Sequence, residues 1–454
     1  MRKIPASQSS PKAGLSERFT STGFILAAIG SSVGLGNMWK FPYITGQYGG
    51  AAFFLLFIIC LIVAGLPILL AELTIGRGGR GNASTSLFNL SGKKYWGILG
   101  LFPVITAFLV MSYYAVVVGW TLHYTVESFT GLLFQSGVDY KEKFESFAGG
   151  YMPLFWQAVV MLLTGWIIAK GISGGIEKFN KILIPGFLLI LLILMVRSLT
   201  LPGAEEGVSF FLKPDFTKLN AESALVALGH AFFSLSLGFG CMLTYGSYVK
   251  KEQSLGAATL AVGFGDLFYA LIAGLVIFPT VFSYGLKPGE GVGLVFMALP
   301  VAFSQMPFGF FFGGLFFLLL AIAALTSAVS ILEVPVAYVM RKWQLSRKKA
   351  SVYTSIICFL VGIPSTLSVA GILAPFQIGG KTIFNLVDFT TSYILMPLGG
   401  LIITLFTGYA WKRAGEEAGL SGIWYKLWMF LLRVVSPILI VLIFLYSVGL
   451  ISLK

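Results

Sequence analysis

Charge is scarce in this chain. Asp, Glu, Lys and Arg make up 11% of its 454 residues, while 57% are hydrophobic. A water-soluble domain carries about a quarter charged residues, so a soluble enzyme or binding module is excluded. Histidine is rarer still: His123 and His230 lie far apart without zinc or catalytic spacing, and read as core or pocket-lining residues. The three cysteines, Cys60, Cys241 and Cys358, all fall in apolar stretches. They form neither a disulfide framework nor a metal motif, and pack as small hydrophobes. Acid is short relative to base, 18 residues against 31, for a net charge of +13. That excess needs no nucleic-acid partner if it follows the sidedness of a membrane.

Long apolar runs are what the chain has instead. Residues 51–71 contain no charge, and a stretch of that length crosses a hydrocarbon core of ~30 Å at ~1.5 Å per residue. Similar runs predict eleven spans, near 22–44, 51–77, 95–130, 153–170, 176–198, 222–248, 256–284, 307–342, 348–364, 378–409 and 427–453. The N-terminal tail, 1–21, is polar and basic and does not read as a cleavable signal. This tail and every second loop after it hold most of the Lys and Arg, so the N-terminus is expected to be cytoplasmic and the C-terminus outside. The larger polar insertions, about 131–152, 199–221, 285–306 and 365–377, are expected on the outside, roofing a vestibule.

One small-residue phrase occurs twice. Ser-x-Gly-x-Gly appears at Ser32–Gly36 in span 1 and at Ser236–Gly240 in span 6. Span 1 runs outward and span 6 inward, so the chain divides into a five-helix repeat over 22–198, an outer loop over 199–221 and an inverted repeat over 222–409. A cytoplasmic loop, 410–426, and an eleventh helix, 427–454, follow. Interrupted helices at matching places in inverted halves are the pattern of a secondary transporter with its site near the midplane. Unwound backbone there offers carbonyls to cations and amides to an anion. The competing reading is close helix packing through glycine.

Charges within spans are costly and mark function by default. Asp266, about ten residues into span 7, has no Lys or Arg at helical reach, which makes a bound cation its natural partner, with a protonated or hydrogen-bonded structural Asp as the alternative. Thr326 and Ser327 offer paired hydroxyls in span 8, although such groups also bond back to their own helix. Lys40 and Asp388 fall where a pair would latch the outer vestibule. Glu72 reads as a structural hydrogen-bond acceptor, and Glu333 is placed to face an inner exit path.

The segments "GFILAAIGSSVGLGNMWKFPY", "LGHAFFSLSLGFGCMLTYGSYV" and "ALTSAVSILEVP" resemble spans 1, 6 and 8 of the neurotransmitter:sodium symporters. "GLPILLAELTIGRGG" and "SYYAVVVGW" extend the likeness through spans 2 and 3, and it covers nearly the whole chain. The resemblance implies an all-α, LeuT-like 5+5 inverted repeat with helices 1 and 6 broken. Eleven spans without a large outer loop are similar to bacterial members, above all the broad-specificity hydrophobic amino acid transporters, and imply the bacterial plasma membrane. The implied activity is sodium-coupled uptake of aliphatic and aromatic amino acids, not catalysis.

Residue roles follow from that resemblance. One sodium would take the Ser32 carbonyl, the side chains of Asn37, Ser234 and Asp266, and the substrate carboxylate. A second would take carbonyls of Gly30, Val33 and Ala323 and the hydroxyls of Thr326 and Ser327. The substrate carboxylate would also meet the amides of Leu35 and Gly36 and the Tyr114 hydroxyl. Its ammonium would face carbonyls of Ser32 and Phe233 near Ser236. Val110, Phe239, Met242 and Ile331 would hold the side chain under a lid of Phe233 and Tyr114. An all-oxygen cage suits an alkali cation.

Four departures qualify the likeness. Asp266 stands where chloride-dependent relatives have Asn, with Ala270 one turn on, which implies chloride independence. Lys40 replaces an outer arginine and loses its bidentate geometry. "SERFTST" has no family Arg and Trp in clear register, and Arg341 and Lys342 stand where an Asp would complete an inner latch. In span 5, Gly174, Gly175 and Pro185 suggest an unwinding gate, with a static kink as the alternative. The two rival classes are an ion channel, which would need a continuous polar pathway, and an intramembrane enzyme, which would need a Ser–His or paired-Asp arrangement. Neither pattern is found.

Overall fold

A computed structural model describes residues 17–135, 137–286, 294–369 and 371–451. The tail expected over 1–21, the insertions near 131–152, 285–306 and 365–377, and the last residues of 427–454 therefore lie partly outside the described residues.

Among the described residues, nine helices are long and apolar enough to cross a membrane. They are span 2 (Ala51–Gly79), span 3 (Lys94–Phe129), span 4 (Met152–Ala169), span 5 (Ile172–Leu199), span 7 (Leu255–Ser283), span 8 (Gly309–Lys342), span 9 (Arg347–Ser368), span 10 (Ile383–Ala410) and span 11 (Gly422–Ser447). The two missing spans are the two predicted to be broken. Span 1 is an α-helix over Ser21–Ser32 that resumes at Gly36 and continues through Gln47. Span 6 is an α-helix over Ala221–Ser234 that resumes over Cys241–Gly246.

Local sequence sets several helix starts. Thr20 accepts from the Gly23 amide, Ser254 from the Ala257 amide, and Asn220 with Ser223 forms a capping box. Pro153 occupies a first-turn position, where the missing amide costs nothing, and Pro42 and Pro397 each follow a wider π-type turn inside spans 1 and 10. Span 5 runs unbroken through Pro185 after a wider π-type turn over Ile172–Glu177. The unwinding considered for this segment is not the arrangement here.

Spans 3 and 8 pack side by side through the middle of the bundle, and span 1 lies against spans 5, 7 and 8. The second break fits closely against span 10: Gly238 has φ +84°, and a Cβ on it would strike the Met396 carbonyl. A Cβ on Gly399 would strike the Gly238 carbonyl in turn. Neither glycine tolerates a side chain without moving a helix. Outside the spans, short helices Tyr140–Gly149, Ala204–Leu212 and Leu299–Gln305 and a two-stranded hairpin pairing Gln377 with Thr382 cover one end of the bundle.

Candidate functional site

The two breaks meet. Ser236 adopts φ +55°, a conformation that a non-glycine residue holds only with compensation. Its Oγ donates to the Ser31 carbonyl at 2.8 Å. Ser31 Oγ in turn donates to Ser330 Oγ of span 8 at 2.8 Å. Glu72 of span 2 braces the second break by accepting from the Gly238 amide (2.7 Å) and the Leu243 amide (3.3 Å), which is the structural role read from its sequence context.

Beside the breaks is a fully buried polar cluster. Asp266 Oδ1 accepts from Asn37 Nδ2 at 3.0 Å and from Ser234 Oγ at 2.7 Å. Asn37 also donates to the Asp266 carbonyl at 3.2 Å. The second carboxylate oxygen, Oδ2, is buried with no hydrogen-bond partner among the described residues, and Asp266 has no ion pair there. An oxygen left bare in a buried carboxylate is a large unmet demand. A cation or a proton would meet it, and the side chains of Asn37, Ser234 and Asp266 bring polar groups there from three spans.

A second oxygen cluster joins spans 1 and 8. Ser327 Oγ donates to the carbonyls of Ser31 (3.3 Å) and Gly30 (3.5 Å), and Thr326 Oγ1 to that of Ala323 (2.9 Å). Val33 caps the first half-helix beside them. Asn180 of span 5 reaches the same place: its Oδ1 is buried with no partner among the described residues, and a Cβ on Gly30 would strike it.

Between these clusters is a narrow cavity of about 20 Å³, room for about one water. Leu35, Gly36, Val110, Tyr114, Phe233, Ser236, Phe239 and Ile331, to which the family resemblance gave the substrate, all line it. Tyr114 meets the Ser327 side chain and the Leu35 backbone. Ser32 and Ser234 lie behind its wall. Met242 is also off the wall, because span 6 resumes at Cys241 with Met242 turned into the packed core. Met396 of span 10 supplies the thioether instead. Sequence reasoning also passed over Asn180 and Ser31. Asn180 was detectable as an isolated amide in an apolar span.

Phe233 and Tyr114 line a second cavity as well, a vestibule of about 280 Å³ with Trp39, Lys40, Tyr113, Asn385, Asp388 and Tyr393. The two rings thus partition vestibule from inner cavity. The Lys40–Asp388 latch is not formed: Lys40 Nζ sits 4.4 Å from the centre of the Phe233 ring, and Asp388 accepts from Ser392 Oγ at 3.0 Å. Both residues line the vestibule, but each is engaged by a closer neighbour.

The opposite end is sealed. Phe19 is buried against Phe24, Tyr245 and Tyr248, and Arg18 Nη1 donates to the Val249 carbonyl at 3.0 Å. Arg18 and Phe19 thus fill the register that "SERFTST" left unclear. Glu17 accepts from the Ile172 amide at 2.6 Å and approaches Arg347 Nε at 3.7 Å. Glu177 accepts from Thr20 Oγ1 and Lys181 Nζ, both at 2.6 Å. Glu333, expected to face an inner exit path, is bonded within the sealed end in this state. It accepts two bonds of 2.9 Å from Arg347 and one of 2.6 Å from Tyr248, because the start of span 9 brings a guanidinium to it that local sequence does not reveal.

Comparison with known proteins agrees with this arrangement. The sequence matches the profile of the Sodium:neurotransmitter symporter family over residues 17–145 and 151–453. A sodium-dependent transporter of Bacillus subtilis (strain 168), YhdH, is 41% identical over 444 residues, 95% of this chain and 97% of the relative. A sodium-dependent transporter of Haemophilus influenzae (strain ATCC 51907 / DSM 11121 / KW20 / Rd) is 37% identical over 438 residues, 93% of this chain and 95% of the relative. The crystal structure of MhsT in complex with L-phenylalanine superposes with a TM-score of 0.88 at 46% identity, covering 95% of this chain and 99% of MhsT. With its two interrupted helices, its buried oxygen clusters and these relatives, the chain belongs to the sodium:neurotransmitter symporter family and is a sodium-dependent membrane transporter, not an enzyme.

Proposed function

We propose that this protein imports hydrophobic L-amino acids, aliphatic and aromatic, by alternating access, driven by two sodium ions and independent of chloride. The observation that carries the reading is the bare, buried Oδ2 of Asp266 beside Asn37 and Ser234. With a sodium bound beside it, this carboxylate would supply the negative charge for which a chloride-dependent transporter needs an anion. A first sodium would be held there with the Ser32 carbonyl and the substrate carboxylate. A second would be held by Gly30, Val33, Ala323, Thr326 and Ser327.

The substrate's carboxylate would meet Leu35, Gly36 and Tyr114, its ammonium the region of Ser236, and its side chain Val110, Phe239, Ile331 and, in place of Met242, Met396. The apolar wall with few polar groups suits such a side chain, and MhsT, a close structural neighbour, was crystallised with L-phenylalanine. Substrate entry requires the inner cavity to widen while Phe233 and Tyr114 part. Two sodium ions crossing 100 mV supply about 4.6 kcal/mol. We place the protein in a bacterial inner membrane with its N-terminus cytoplasmic, its C-terminus outside and the vestibule on the outer face. The basic tail and alternate loops support that orientation.

Sodium titration of the purified protein, read by binding of radiolabelled tryptophan and leucine, tests this. Binding should be saturable in sodium gluconate and absent in choline chloride. Binding without sodium would remove the coupling, and a need for chloride would remove the role given to Asp266.

A further inference from the structure

We propose that a groove between spans 4 and 9, facing the bilayer and away from the transport path, binds one anionic phospholipid. The inference is independent of the transported substrate. The groove has a volume of about 680 Å³, larger than either cavity on the path and within the ~300–1,000 Å³ of small-molecule sites. Its walls are apolar along most of their length: Ala158, Met161, Leu162, Trp166, Ile356 and Phe359. From Ala158 to Lys170 the wall is about 18 Å long by helix rise, close to half of a ~30 Å hydrocarbon core. That is the depth of one leaflet, the space an acyl chain occupies.

The end of the groove is cationic. Lys170 closes span 4 and Lys348 opens span 9, and both line the groove. Neither has a carboxylate within 4 Å among the described residues. Lys170 Nζ lies 3.3 Å from the centre of the Trp166 ring, which holds the ammonium over the mouth of the groove. Ser355, seven residues along span 9 from Lys348, is buried, lines the groove, and has a hydroxyl with no partner among the described residues. A phosphate at the lysine end and an acyl chain along Trp166 and Leu162 match the two parts of the groove. A zwitterionic lipid would bring its own ammonium to the same two cations. Basic pockets between spans at the cytoplasmic end are where anionic headgroups bind.

The test uses full-length protein in phosphatidylcholine nanodiscs doped with dibrominated phosphatidylglycerol or dibrominated phosphatidylcholine. Quenching of Trp166 is isolated by difference from Trp166→Phe. Brominated phosphatidylglycerol should quench at about 25-fold lower mole fraction than brominated phosphatidylcholine, from two lysines at ~1 kcal/mol each. Lys170→Gln and Lys348→Gln should each reduce that preference about fivefold, at about one electrostatic contact per lysine, with unchanged thermal stability showing that the variants fold. Ala158→Phe, which fills the groove and keeps both lysines, should lower quenching by both lipids. Excess inorganic phosphate should leave the signal unchanged. Equal quenching by the two lipids, or a preference surviving in the double lysine variant, would overturn the site. Displacement by inorganic phosphate would reduce it to a headgroup site without the chain.

Discussion

The two ends of the bundle are closed by different chemistry. At the Arg18 end, Glu17, Glu177 and Glu333 each accept bonds from a residue on another segment, and Phe19 plugs the centre. At the Lys40 end, a cavity of about 280 Å³ reaches down to two aromatic rings, and the opposite charges there, Lys40 and Asp388, do not pair. One end is fixed by directional bonds that must break one by one. The other is covered by rings that need only swing. For a transporter that must open each end in turn, the bonded end is the one closed in this state, and its opening sets the larger barrier.

Breaking the bonded end should have the largest effect. Glu333→Ala leaves the buried Arg347 guanidinium with only the 3.7 Å approach of Glu17, a loss approaching about 3–5 kcal/mol that should appear as a marked fall in the melting temperature of detergent-solubilised protein. Replacing both residues, Glu333→Leu with Arg347→Met, should recover most of that loss. An unchanged melting temperature in the single variant would mean that the pair does not hold this end. Arg18→Ala removes a charged hydrogen bond to a carbonyl, about 1.5–3 kcal/mol. In a background lacking Cys60 and Cys358, alkylation of buried Cys241, one turn from Tyr245, should then accelerate by tenfold or more. No acceleration would show Phe19 to be the sufficient plug.

The open end should respond less. Lys40→Gln withdraws the cation from the Phe233 ring, worth about 0.5–2 kcal/mol, so bound radiolabelled substrate should dissociate several-fold faster. Asp388→Asn should change the same rate by less than about twofold, because the carboxylate pairs with no cation here and partly exposed charges contribute little. A large effect of Asp388→Asn with none of Lys40→Gln would reverse the reading of which residue governs this end.

The spans and both breaks were legible because they depend on local sequence: hydropathy over about twenty residues, and a glycine phrase that no ordinary helix favours. Most of the cavity wall was legible through family likeness. The rest depended on helix phase and on contacts distant in sequence. Whether Met242 or Met396 faces the cavity is decided by where the chain resumes its helix after six turn residues from Leu235 to Gly240. Glu333 looked free because Arg347 belongs to another span, and the Arg18–Val249 contact joins residues 231 apart. Lys40 and Asp388 are on the same wall, but a phenylalanine ring and a serine hydroxyl are nearer.

Glu72 gives the two interruptions different lifetimes. It accepts from the Gly238 amide inside the second gap and from the Leu243 amide at the start of the resumed half-helix, whereas the Gly34 amide in the first gap makes a longer 3.4 Å contact to Asn37 Oδ1. In deuterated solvent the first gap should therefore exchange its amide hydrogens well before the second. Span 1 would then be the element whose backbone loosens between transport cycles, and span 6 the fixed post against which it turns.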